Sequence, residues 1–188
     1  MFQGELYIEM RWYDCGFLQK AFEHFISLNL PFPSTEDRVY TLDEWLEEYI
    51  RSYQPKSKNA FYWESCEDRT SYMKTVYFYK IPKVLVLRVD RFGTEIAERR
   101  HNLTQVDFNH KSLQLYDYWY LQSSKKTEYE LNALVEHSGM VTNNNFQWYF
   151  RDDGHLYKYY GHSRIEKVKS FDSDCCKYAY VFFYTHNS

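Results

Sequence analysis

The alternation of apolar and polar positions changes period several times along the chain. Phe2 to Met10 alternates in part, with Phe2, Leu6, Ile8 and Met10 set against Gln3, Glu5 and Glu9, which predicts a strand; Phe22 to Leu30 predicts a second, ended by Pro31 and Pro33. The period then lengthens. Leu42, Trp45, Leu46, Tyr49 and Ile50 form one apolar stripe at helical spacing, and Thr41 with Glu44 three residues on has the form of a capping box, so a helix is expected from Thr41 to about Tyr49. From Thr75 the pattern returns to strands. Pro82 marks a strand start, because proline is poorly tolerated inside a central strand, and Val84 to Val89 is apolar enough for a buried one. Further strands are expected at 130–137, 147–151, 155–160, 163–168 and 178–184, with hairpin-turn chemistry at Asp153-Gly154. The polar stretch 52–59 reads as a surface loop.

Composition supports a β-rich α+β chain. Aromatic residues are 21% of the 188, including 20 Tyr and 14 Phe, and these types favour pleated, half-buried surfaces. The length suits one domain with a sizeable core. The charge is near balance, 23 basic against 26 acidic residues for a formal −3, which gives no global field for nucleic acid or an anionic membrane, and direct nucleic-acid binding is not expected. No apolar run reaches the length of a bilayer span, and Met1 to Arg11 lacks the pattern of a secretory leader. An intracellular protein, cytoplasmic or nuclear, is therefore expected. Four cysteines, Cys15, Cys66, Cys175 and Cys176, are too few and too irregular for a disulfide framework, so reduced thiols are expected.

Five blocks in order carry a family resemblance. They are Phe2-Gln3-Gly4-Glu5-Leu6 with Cys15-Gly16 and Phe22 to Leu28; Thr41-Leu42-Asp43-Glu44-Trp45-Leu46; Lys80-Ile81-Pro82-Lys83-Val84-Leu85-Val86-Leu87-Arg88-Val89-Asp90-Arg91-Phe92; Tyr129 to Gly139, with its His137-Ser138-Gly139; and Ala179-Tyr180-Val181-Phe182-Phe183-Tyr184. Together they resemble the finger and palm portion of the ubiquitin-specific proteases, papain-like cysteine proteases. The resemblance implies a mostly antiparallel sheet with one clear helix near 41–50, in a single unit over 1–188. Finger-like strands would occupy roughly 1–80 and a palm-like sheet roughly 81–188.

The departures from that pattern bear on chemistry. The family's nucleophilic cysteine lies in a thumb that precedes the finger, and the chain has no counterpart of it. Where the family places its general-base histidine, the sequence has Asn145, and an amide cannot take up a thiol proton near neutral pH. Gly161 stands at the position of the residue that orients the base, and His162 replaces the second acid. His137 and His155 match no catalytic position, and a structural hydrogen-bonding role is expected for His137. The family's zinc knuckle needs two Cys-x-x-Cys pairs, but here Trp12 and Trp63 replace the first cysteine of each, leaving Cys15 and Cys66. No metal and no cofactor are expected, with the indoles filling the site by apolar contact.

These features predict a non-catalytic module that binds a protein partner, with ubiquitin or a multiprotein complex as candidates. Two alternatives stand beside it. One is part of a split deubiquitinating protease whose cysteine lies on another chain or segment; the other is a structural subunit of a large protein or ribonucleoprotein assembly.

Overall fold

The computed structural model describes residues 1–12, 15–31, 39–50, 61–63, 68–70, 72–91, 105–115, 120, 127–140, 143–161, 163–172 and 175–186, with backbone alone at 61–63, 68–70, 139–140 and 143–144. Cys66, His162, the side chain of Trp63 and the loop expected at 52–59 lie outside the described residues.

In chain order the elements are β1 (Gly4–Trp12), β2 (Leu18–Phe25), β3 (Leu28–Leu30), β4 (Tyr40–Thr41), α1 (Leu42–Ile50), β5 (Phe61–Trp63), β6 (Asp68–Thr70), β7 (Tyr72–Lys80) and β8 (Val84–Val89). There follow β9 (Val106–Asp107), β10 (Leu113–Gln114), β11 (Glu128–Met140), β12 (Asn143–Asp152), β13 (His155–Tyr159), β14 (Ile165–Val168), α2 (Cys175–Tyr178) and β15 (Ala179–His186). A three-stranded sheet runs β2-β1-β7, and the large sheet runs β14-β13-β12-β11-β15-β8-β3, with β10 pairing β11 at its side. The fold is α+β, dominated by antiparallel pairing, with α1 its longer helix.

Three local outcomes differ from the pattern. The segment expected as one strand over 22–30 is two, because the chain bends at Ile26-Ser27, leaving the small sheet at Phe25 and entering the large one at Leu28. There β3 pairs β8 in parallel, and β4 pairs β9 likewise, so the pairing is not uniformly antiparallel. The short helix α2 had no periodicity to announce it. The Asp153-Gly154 turn does join β12 to β13, with both residues at positive φ (44° and 72°), as a primed hairpin turn requires.

Helix α1 forms where the capping box places it. Thr41 N–H donates to Glu44 Oε2 at 2.8 Å, and Glu44 N–H donates to Thr41 Oγ1 at 3.1 Å, satisfying two of the orphan donors of the first turn. Its buried face, Leu42, Trp45, Leu46 and Ile50, joins a core with Leu85, Leu87, Val89, Leu131, Phe182 and Tyr184 of the large sheet. The Tyr129 phenol, buried in this core, donates 2.5 Å to the Pro82 carbonyl and ties the entry of β8 to β11. Trp12 is buried between Phe17 and Tyr72, with ring centroids 5.5 Å from each, which is the apolar packing expected of that indole.

Candidate functional site

The resemblance places the site at the β11–β12–β13 end of the large sheet. Strand register gives each side chain its face. Leu134 stands opposite Tyr149, and Tyr149 opposite Lys158, so these three share one face with Phe182 and Leu87. Residues alternate across a strand, so Asn145, two pairs of steps before Tyr149, lies on that same face, whereas Phe146, Trp148 and Phe150 lie on the other.

Asn145 is not in a loop: it is exposed within β12, opposite Ser138, whose hydroxyl donates 3.5 Å to the Asn145 carbonyl. His137 stands opposite Phe146 and so belongs to the other face. It is buried, with ring centroids 4.7 Å from Phe146 and 5.6 Å from Tyr180. Gly161 follows β13 in a tight turn: Arg164 N–H donates to the Gly161 carbonyl and Tyr160 N–H to the Arg164 carbonyl. Its φ is +87°, a conformation glycine adopts without steric penalty, and no atom lies within 4 Å of a Cβ built there. A side chain at 161 would meet open space but a strained backbone. His155 sits exposed just after the hairpin turn, opposite Asp152.

The same face holds a charged cluster that the sequence reading did not single out. Lys158 is buried, its Nζ 3.2 Å from Glu136 Oε2, 2.6 Å from Asp172 Oδ2 and 2.8 Å from the Tyr149 hydroxyl oxygen. The ammonium also lies 4.6 Å from the Tyr149 ring centre and 5.2 Å from that of Tyr160. Burial alone would pull the lysine down, yet its hydrogen bonds to Asp172 and Tyr149 and the charge of Glu136 hold it above its ordinary value, so it stays protonated. Its hydrogen bond holds Asp172 below the usual carboxylate value, while burial raises Glu136 despite the nearby cation. A signal was present in the sequence: in β13, Leu156 and Lys158 share a face, and a lysine at a core-facing position needs a carboxylate.

Of the two cysteines of α2, Cys175 is buried beside Glu136, and burial pushes its thiol far up; the Cys176 thiol, near Asp107 and Arg91, is raised as well, first by burial. Both are free thiols. Lys158 near the first and Arg91 near the second offset only part of that rise. Arg91, at the end of β8, is buried and bridges to this helix, Nε donating 2.6 Å to the Ala179 carbonyl and an Nη 3.1 Å to that of Cys176; burial pulls its guanidinium down to about 10.

The expectation of reduced thiols throughout fails at one position. Cys15 is disulfide-bonded, with a partner outside the described residues. Spacing along the chain does not tell which residues meet in space. Such a bond is unusual in a reducing compartment.

Comparison with known proteins places this arrangement. The family model described as ubiquitin carboxyl-terminal hydrolase matches residues 1–184, and the chain belongs to that family. Ubiquitin carboxyl-terminal hydrolase 21 of Mus musculus is 28% identical over 143 residues, covering 75% of this chain and 25% of that protein. Ubiquitin carboxyl-terminal hydrolase 2 of Gallus gallus is 28% identical over 149 residues, covering 79% of this chain and 42% of that protein. Among solved structures, a chain of the yeast SAGA DUB module superposes with a TM-score of 0.83 at 22% identity, over 100% of this chain and 41% of that one. A chain of the SAGA DUB module bound to monoubiquitin gives 0.80 at 22%, with the same coverage. The fold is therefore that of the ubiquitin-specific proteases, and the chain spans well under half the length of these relatives.

Proposed function

We propose that the chain is a non-catalytic member of its family, a protein-interaction module that recognises ubiquitin or another subunit of a complex. The observation that carries this is Asn145. It occupies the position the resemblance assigns to the general base, it lies on a regular strand, and its amide has no titratable nitrogen near neutral pH. Gly161 adds a vacant orienting position. The α2 thiols, both raised by burial, are poor substitutes for an activated cysteine. A cysteine supplied by another chain or segment would still lack its base, which weighs against the split-protease alternative. That a related module was solved with monoubiquitin bound makes ubiquitin the first partner to try.

The test uses a ubiquitin probe with a C-terminal electrophile, together with calorimetric titration of free ubiquitin. The expected result is no covalent adduct, with binding to ubiquitin or to a co-purifying subunit. An adduct mapped to one cysteine and lost when that cysteine is replaced by serine would overturn the non-catalytic reading.

A further inference from the structure

Strand β2 is an outer strand of the three-stranded sheet, and it pairs with β1 in an unbroken register from Leu18 to Phe25. One hydrogen bond fixes which of its backbone groups point outward. Trp12 N–H donates to the Phe17 carbonyl at 2.9 Å, and hydrogen-bonded pairs alternate along an antiparallel ladder. Counting from that pair, Gln19, Ala21, Glu23 and Phe25 bond toward β1. Leu18, Lys20, Phe22 and His24 therefore direct their N–H and C=O groups away from the sheet. Among the described residues no strand receives them. An open row of this kind is a template for another strand.

Two exposed apolar side chains lie on this edge, Leu18 (37% exposed) and Phe22 (55%), with exposed Phe17 and Ile26 just outside its two ends. Antiparallel pairing of two copies requires a two-fold axis perpendicular to the sheet, and residues that face each other across it must share a face. An axis through Phe22 meets every condition. Phe22 then faces its own copy and Lys20 faces His24, residues of one parity with outward backbone groups, while Leu18 comes opposite the bend that begins at Ile26. On the other face Ala21 meets Glu23 and Gln19 meets Phe25. Charged residues on an edge ordinarily discourage pairing, but in this register no two carboxylates and no two lysines stand opposite each other.

The register also extends a row of rings already present. Phe22 lies 5.4 Å from Tyr7, and Tyr7 lies 6.3 Å from Tyr77, with Phe22 also 4.8 Å edge-on to Tyr79. A Phe22–Phe22 contact joins two such rows across the axis, and cross-strand aromatic pairs are among the favourable contacts of a sheet. We propose that β2 is a self-pairing edge, through which two copies of this chain join their three-stranded sheets about an axis at Phe22.

An interface of one strand pair with Leu18 and Phe22 on each side is small, so the association is a weak, concentration-dependent one. Light scattering or sedimentation of the full chain from low to high micromolar concentration is expected to show mass rising toward a dimer. Phe22→Lys, a change at an exposed side chain, is expected to abolish that rise with the circular dichroism spectrum unchanged. The axis is tested by crosslinking: Phe22→Cys should form a covalent dimer with oxidant or a short thiol crosslinker, and Ala21→Cys should stay at the background of the native cysteines. A wild-type chain that stays monomeric across the range overturns the proposal. So does dimerisation retained in Phe22→Lys, or Ala21→Cys crosslinking as fast as Phe22→Cys.

Discussion

Lys158 Nζ stands 3.2 Å from Glu136 Oε2 with the two side chains only 6% and 8% exposed, so an ion pair lies inside the sheet face where a protease of this fold would work. Removing one member leaves the other charged and buried, a larger penalty than losing a surface pair. Lys158→Met is expected to lower stability by about 3–5 kcal/mol. Glu136→Gln added to it should restore part of that loss, because no isolated carboxylate then remains. Urea denaturation of the three variants measures both effects.

The pH dependence of the same cluster has a definite sign. Asp172 is held below its ordinary 3.8, so its contribution is present above that value and lost as pH falls through the lower folded one. Glu136 is raised above its ordinary 4.5, so its effect is opposite: folding gains as it protonates, and that gain is lost as pH rises through the raised value. In Lys158→Met the lone Glu136 dominates. Its deficit relative to wild type should therefore shrink as pH is lowered from neutral into the carboxylate range. A deficit constant with pH would show that lost packing, rather than the buried charge, causes it.

Gly4 sets a steric limit on the small sheet. A Cβ at this position would fall on the Phe25 ring and within 2.9 Å of the Lys80 carbonyl oxygen, so Gly4→Ala must displace both. A loss of about 1–3 kcal/mol is expected. Gly4→Ala combined with Phe25→Leu should lose less than the two separate changes summed, as a double-mutant cycle in denaturant can show.

Helix α1 rests on its cap and its buried face. Thr41→Ala removes one side of the reciprocal cap and is expected to cost about 1 kcal/mol, and Leu46→Ala, at 0% exposure, about 2–5 kcal/mol. Thermal denaturation followed by circular dichroism measures each.

Placing the family's polar residue types at 145 and 161 tests the proposed non-catalytic reading. On that reading Asn145→His with Gly161→Asp should still give no ubiquitin-probe adduct, since both thiols of α2 are raised by burial. Position 161 is open but its φ of +87° strains any side chain, so circular dichroism of the double variant accompanies the probe assay. Probe labelling of this variant would mean a cysteine of this chain reaches position 145.

How far the sequence anticipates this structure depends on the range over which each signal acts. Thr41 to Ile50 carries a local code, a cap and a stripe, and α1 forms there. Asp153-Gly154 likewise encodes its turn by φ alone. The break at Ile26-Ser27 has no local code, because it is set by β3 docking in parallel on β8, residues far along the chain. Lys158 has no local code for a similar reason: its partners are Glu136 on β11 and Asp172 in the segment between β14 and α2, and only the folded chain brings them within 4 Å. Asn145 and Gly161 are assigned by motif position alone. That Asn145 continues a strand follows from the length of the β11–β12 ladder, which no local pattern announces.

The bend at Ile26-Ser27 and the passage Ile81-Pro82-Lys83 both carry the chain between the two sheets, one leaving β2 for β3 and the other leaving β7 for β8. Their far ends are neighbours, since β3 and β8 lie side by side. The two sheets also share one buried cluster, in which Leu6, Ile8, Phe25, Val76 and Phe78 of the small sheet stand with Leu85, Leu87 and Phe182 of the large one. A load on the small sheet is therefore spread over that common core as well as over the two crossings.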